Sequence, residues 1–409
     1  MLITNTRASH TEYPDALKTI LNVESAGQSR IWLSNWSLLS RCATPLWDLP
    51  DAAARLGIRR LSIKDESARS PLGSFKALGA PIALVRLILR LWPEQSIDPK
   101  GLIQGCYREM LTNLVVISAT DGNHGKALAA AAQTLGCNCM IVLHANVSVE
   151  REQAIAAYGA QIIRISGNYD ESVAEAARLA KENGWHVVSD TSYEGYEAIP
   201  RDVMQGYGTI AAEIDEQSES HADECAFTHV FLQGGVGGLA AGVASYLWEV
   251  HGRKRPRFVV VEPQQADCLY QSALEGRAAK ATGSVDSIMA GLACGEASPL
   301  AWKFLGLCVD DFMTISDEDA IGAMRRLAAG SAADIPLAVG ESGAAGYAGI
   351  EVLMQDPQLA RTVGLTGDSR VLVIGTEGAT APAVYHECVG ETADSVLSRQ
   401  AHWLDATVR

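Results

Sequence analysis

Residues Leu114 to His144 read LVVISATDGNHGKALAAAAQTLGCNCMIVLH: a β-branched run, a polar turn, an alanine-rich run and a second β-branched run. The outer pieces suit short buried strands, and the middle piece suits a helix over Asn123 to Leu135. A helix between two strands carries the chain back along the sheet, so the strands run parallel. The pattern continues outward with QIIRI from Gln161 and HVVSD from His186, and with helices predicted over Val149 to Tyr158 and Tyr169 to Asn183. These βαβ units predict an open sheet covered on both faces.

A second alternating region starts with HVFLQ at His229, passes through GGVGGLAAGVASYLWEV and returns in FVVVEP. Near the C-terminus a helix over Asp317 to Ala329 precedes ESGAAG and the strand RVLVIG, which stops at Thr376-Glu377-Gly378. The fold class is therefore α/β. No heptad run, low-complexity tract or internal repeat stands out.

Composition narrows the function classes. The 409-residue chain is 48% hydrophobic and 20% charged, as ordinary globular proteins are. A net charge of −15 does not suit nucleic acid or an anionic membrane as partner. The apolar stretch from Ile82 to Leu91 is broken by Arg86 and Arg90 and cannot span a bilayer. The N-terminal run lacks the basic and apolar regions of an export signal. Nine scattered cysteines, with only Cys137 and Cys139 close together and not at zinc spacing, predict a reduced cytoplasmic chain without a metal. Cys268 and Cys294 are the two that could meet in space near the motifs below.

Three motifs could carry chemistry. GGVGG, Gly234 to Gly238, joins a strand to a helix start, where amide N–H groups and the helix dipole favour a phosphate. A tight packing turn is the plainer reading. A dinucleotide loop is a third, since Gly235-Val236-Gly237 followed by Ala240 approximates G-x-G-x-x-A, with Glu262 as the ribose-binding acid. Lys76 lies in PLGSFKALG, where Pro71, Gly73 and Ser74 make a turn and Phe75, Ala77, Leu78, Gly79 and Ala80 surround the amine with apolar or small groups. That setting predicts a lowered pKa and an amine able to form an imine. The segment Thr120-Asp121-Gly122-Asn123-His124 ends a strand and opens a helix, so its N–H groups suit a substrate carboxylate; capping by Asp121 or Asn123 is a compatible reading.

In this order the lysine, asparagine and glycine motifs resemble those of the fold-type II pyridoxal-phosphate (PLP) enzymes, which include serine and threonine dehydratases and tryptophan synthase β. Within that group KDES, SFKALG, ATDGNHG, DTSYEGYEAIPRDVMQGY, VEPQQADCLYQSA, IMAGLACGE, ESGAAG and TEGAT are similar to the diaminopropionate ammonia-lyase family. The resemblance implies two open, twisted, mainly parallel sheets with flanking helices. It also implies a small domain, 86–206, inserted in a large one made of 1–85 and 207–409, and a homodimer. Lys76 would hold PLP as a Schiff base, Asn123 would face the ring 3′-oxygen, Gly234, Gly235, Val236, Gly237 and Gly238 would hold the phosphate, and Thr376 would sit beside the pyridine nitrogen. Thr120, Asp121, Gly122, Asn123 and His124 would bind the substrate.

The same resemblance assigns removal of the Cα proton to Lys76 for one stereoisomer and to Asp190 for the other. Dehydratases usually carry serine where this chain has Asp121, and a carboxylate there would hold a departing ammonium. The implied reaction is elimination from D- or L-2,3-diaminopropionate to pyruvate and ammonia. The competing readings are a dehydratase for serine, threonine or 3-hydroxyaspartate, a nicotinamide-dependent oxidoreductase, and a catalytically silent binding protein. Four positions depart from the family pattern: Gly73-Ser74 stands for Asn-Ala, Tyr193 for tryptophan and Ala379 for an acid.

Overall fold

The computed structural model describes residues 1–120, 122–167, 169–218 and 225–407. Among them the strands are β1 (Leu2–Thr4), β2 (Leu46–Asp48), β3 (Arg60–Asp65), β4 (Val115–Ala119), β5 (Asn138–Leu143), β6 (Gln161–Arg164), β7 (His186–Val187), β8 (His229–Gln233), β9 (Arg257–Pro263), β10 (Asp311–Ile315) and β11 (Arg370–Gly375). They form a seven-stranded sheet in the order β1-β10-β9-β8-β11-β3-β2 and a four-stranded sheet in the order β6-β5-β4-β7. The smaller sheet is wholly parallel. In the larger one the five inner strands are parallel, and the edge strands β1 and β2 are antiparallel. β8 is buried along its whole length and β11 from Val371 onward, as expected of strands with helices on both faces.

The helices over Asn123–Leu135, Tyr169–Asn183 and Asp317–Ala329 stand where hydrophobic periodicity sets them. Ser316 and Asp319 form a reciprocal capping box at the start of the last one. HVVSD is shorter than expected, with ladder pairing only at His186 and Val187. Tyr196 is the reason: its hydroxyl accepts from the Ser189 N–H at 2.9 Å and donates to the Val187 carbonyl at 3.0 Å, so the backbone leaves the sheet there.

Two helices, Ala80–Leu91 and Ala198–Gln217, link the sheets. The second packs directly on the 3-10 turn Phe75–Leu78 that carries Lys76. A Cβ at Gly206 would lie 2.1 Å from the Leu78 carbonyl oxygen, and one at Gly79 would lie 2.7 Å from the Tyr207 ring. Only glycine permits that approach at both positions.

Beneath the same turn lies a buried charge network. Arg69 forks onto Glu66 at 2.8 Å and reaches Glu213 at 2.7 Å, and Lys64 Nζ donates to Glu213 at 2.7 Å and to the Thr44 carbonyl at 2.7 Å. Lys64, Glu66 and Arg69 are at most 1% exposed. The KDES run is thus structural: it ties the end of β3 to helix Ala198–Gln217 just before the lysine turn.

Candidate active site

The loops that follow β3, β4, β7, β8 and β11 converge at the carboxyl ends of the parallel strands, where open α/β sheets place their ligands. Hydrogen bonds stitch the lysine turn to the loop after β11. Phe75 N–H donates to the Thr376 carbonyl at 3.0 Å, Gly378 N–H donates to the Gly73 carbonyl at 2.9 Å, and Ser74 bridges Glu377. Gly73 has φ +76, which explains a glycine where the family pattern has asparagine less directly than it explains the sharp entry to the turn. From this turn Lys76 Nζ donates to Asp190 Oδ2 at 2.5 Å, with the Phe75 ring centroid 5.1 Å away.

This pairing corrects the expected lysine pKa. Burial does lower the Lys76 ammonium, but the Asp190 carboxylate, with help from Tyr207, outweighs it and holds the ammonium above its ordinary value. Asp190 shows the converse: burial raises its carboxyl, yet Lys76 and then His124 bring it below the ordinary range. His124 is 5% exposed, donates from Nε2 to the Val188 carbonyl (2.9 Å), and presents Nδ1 to Asp190 at 3.9 Å. Burial lowers its pKa, so its neutral form is favoured near pH 7.

Of the segment expected to bind substrate, Thr120, Gly122, Asn123 and His124 all line one cavity with Lys76 and Asp190. Asp121 lies outside the described residues. Among the described residues the helix start is capped by Thr120, whose Oγ1 accepts from the Gly122 and Gly125 N–H groups, each at 3.2 Å. Asn123 points elsewhere and donates from Nδ2 to Glu377 Oε2.

Gly234, Gly235, Val236 and Gly238 line the same cavity, and Gly237 completes the turn. Gly235 and Gly237 have φ +60 and +97, and the turn leads into the 14-residue helix Gly238–His251. A side chain at Gly234 would strike Glu262 Cγ at 2.5 Å, and one at Gly237 would strike Leu305 at 2.8 Å. The result is a bare backbone cradle at a helix N-terminus, the form a phosphate needs. Thr376, 2% exposed, lines the cavity too. An amine, a phosphate cradle and a neutral hydroxyl in one cavity fit PLP. The dinucleotide reading fails, because Glu262 is fully buried and accepts the Leu269 and Tyr270 N–H groups at 2.9 and 2.8 Å, away from any ribose.

Several lining residues carry no signal in periodicity: Tyr207, Gln233, Arg151, Glu341, Ser342 and Glu377. Gln233 Nε2 donates to the Ile374 and Gly343 carbonyls, tying the end of β8 to the ESGAAG segment. Glu341 and Glu377 lie in ESGAAG and TEGAT, runs that mark the family without disclosing what their acids do. Cys268 and Cys294 both adjoin Gly235, but none of the nine cysteines is in a disulfide. Tyr193 is 44% exposed and stacks on Tyr196 at 4.8 Å, and Ala379 packs at the edge of the large-sheet core. Among the described residues no His, Cys, Asp or Glu cluster could hold a metal ion, and no helix is long and apolar enough to cross a membrane.

A family model for pyridoxal-phosphate dependent enzymes matches residues 38–377. Diaminopropionate ammonia-lyase of Escherichia coli K12 is 38% identical over 360 residues, covering 86% of this chain and 88% of that protein. The Salmonella typhimurium enzyme of the same name is 38% identical over 354 residues, covering 85% and 87%. The crystal structure of the Escherichia coli lyase in complex with an aminoacrylate-PLP azomethine reaction intermediate superposes with a TM-score of 0.84 at 35% identity, covering 95% of this chain and 96% of that one. The family model spans β2 to β11 and the lysine, asparagine and glycine loops between them. The chain therefore belongs to the diaminopropionate ammonia-lyase family of the pyridoxal-phosphate-dependent enzymes.

Proposed function

We propose that this chain holds PLP through Lys76 and removes ammonia from 2,3-diaminopropionate, which with one water yields pyruvate and two ammonia. The observation that carries the reading is the single cavity that joins the Lys76 amine, the glycine cradle and Thr376, in a chain whose 38%-identical relatives are lyases of that name. PLP supplies an electron sink for the charge left at Cα. The protein supplies the rest. The Asn123 and His124 backbone N–H groups, at the start of a helix, take the substrate carboxylate. Gly234 to Gly238 take the phosphate, Asn123 the 3′-oxygen, and the Thr376 hydroxyl the pyridine nitrogen. A neutral hydroxyl does not enforce ring protonation, which favours prompt loss of the β-substituent over racemisation.

Lys76 takes the Cα proton of one stereoisomer and Asp190 that of the other. Asp121 holds the departing ammonium, a role that rests on its position in the sequence. For Asp190→Asn we expect kcat on one enantiomer of diaminopropionate to fall about 10²- to 10⁴-fold while the other falls less than about tenfold. Equal losses on both enantiomers would instead make Asp190 a positioning residue that acts through its 2.5 Å contact with Lys76.

The reaction itself is tested by following pyruvate from diaminopropionate and from serine with one preparation. Faster turnover of serine would favour the dehydratase reading, and cofactor absorption without turnover of either would favour a binding protein. Nine cysteines outside disulfides support a reducing, cytoplasmic location, and the family resemblance supports a homodimer. Light scattering at twice the chain mass checks the latter.

A further inference from the structure

Two carboxylates of the cavity have no part in the roles above. Glu341 opens the ESGAAG segment and Glu377 follows Thr376, and they are 1% and 3% exposed. Both line the cavity that contains Lys76, Asn123 and Arg151. Glu377 is saturated. Its Oε2 accepts from Asn123 Nδ2 and from Thr380 Oγ1 (3.1 Å), and its Oε1 accepts from the Ser342 N–H (3.2 Å). Glu341 is not: Oε1 accepts from Arg151 Nη2 at 3.2 Å, whereas Oε2 is buried with no hydrogen-bond partner among the described residues.

A buried acceptor without a donor is an unstable arrangement unless a ligand completes it. Burial, and then the neighbouring Glu377 carboxylate, push the Glu341 carboxyl well up, so it favours its neutral form until a cation arrives beside it. Two carboxylates face one guanidinium. The other cations that line the cavity are engaged elsewhere, Lys76 with Asp190 and Lys126 with the Leu72 carbonyl at 3.2 Å. The group that fits is therefore a cationic donor.

We propose that Glu341, backed by Glu377, binds the β-ammonium of the substrate and so selects a diamino acid over a β-hydroxy amino acid. This rests on the reading of diaminopropionate as substrate. Its carboxylate and its β-nitrogen are separated by only two carbons, and the Asn123–Glu377 hydrogen bond sets the acid pair directly against the loop proposed for the carboxylate. An ammonium brings a charge and three donors, so it favours the ionised Glu341 and supplies the partner that Oε2 lacks. A serine hydroxyl brings one neutral donor and no charge to favour the carboxylate. The sequence offers Asp121, with Asp190 and the family resemblance, for this distinction.

The test uses the PLP-loaded protein and two ligands without a Cα–H, 2-methyl-2,3-diaminopropionate and 2-methylserine, neither of which can turn over. Dissociation constants are read from the cofactor's absorption. For Glu341→Gln we expect the diamine to bind at least about tenfold more weakly and 2-methylserine to change by less than about twofold. Glu377→Gln should shift the ratio in the same direction, and it decides the matter if Glu341→Gln fails to fold. Unchanged discrimination, or its loss in Asp121→Asn alone, overturns the proposal. A wild type that yields no pyruvate from diaminopropionate defeats the substrate reading instead, whereas turnover with unchanged discrimination in the variants defeats only the acid pair.

Discussion

Lys76→Ala is expected to lower kcat on 2,3-diaminopropionate by at least about 10³-fold, with loss of the visible absorption band that borohydride removes from the wild type. Two effects combine in that figure. The variant lacks the amine that would hold the cofactor covalently, and it lacks the base proposed for one enantiomer. A third consequence is electrostatic. Without the ammonium 2.5 Å away, burial dominates Asp190 and raises its carboxyl, so the second proposed base is impaired as well. Lys76→Arg is the informative companion. It retains a cation for Asp190 and should keep the fold and the depressed Asp190 carboxyl, yet it forms no imine and should be as inactive as the alanine variant. Persistence of the band in Lys76→Ala would end the assignment of Lys76.

The second large effect concerns stability. Arg69→Met is expected to cost about 3–5 kcal/mol, a large part of the roughly 5–15 kcal/mol typical of a folded protein. Arg69 spans Glu66 and Glu213 with no access to water, so its removal leaves two buried carboxylates with only Lys64 between them. A urea midpoint unchanged from wild type would show that the network relaxes or admits water. The same network predicts acid sensitivity. Burial raises the Glu213 carboxyl, but Arg69 and Lys64 outweigh it, and its folded pKa lies below the ordinary value. Its contribution is therefore present above the unfolded carboxylate pKa and is lost as pH falls through the folded one. The damage should reach the site, because Arg69 directly precedes the turn that carries Lys76.

Much of this was legible in the chain itself. Alternation of β-branched runs with alanine-rich runs determined two sets of parallel strands, since the period of burial is a local property of each segment. Strand ends followed by Gly, Asn or Asp located the loops that line the cavity, and the apolar company of Lys76 marked it out among 33 basic residues. Glycine spacing left the phosphate loop open to a dinucleotide reading, and only the burial of Glu262 removed it.

Tertiary structure alone decided the charges. Lys76 and Asp190 are 114 residues apart, Arg69 and Glu213 are 144, and Arg151 and Glu341 are 190. Each pair forms because the order of strands, β8-β11-β3 in one sheet and β5-β4-β7 in the other, brings the loops together. The sign of a pKa shift depends on the nearest charge through space, and sequence neighbours do not reveal it. Apolar flanks predicted a depressed Lys76 amine, and a carboxylate from the other sheet reversed that. The unfilled valence of Glu341 is likewise visible only when the cavity is closed around it.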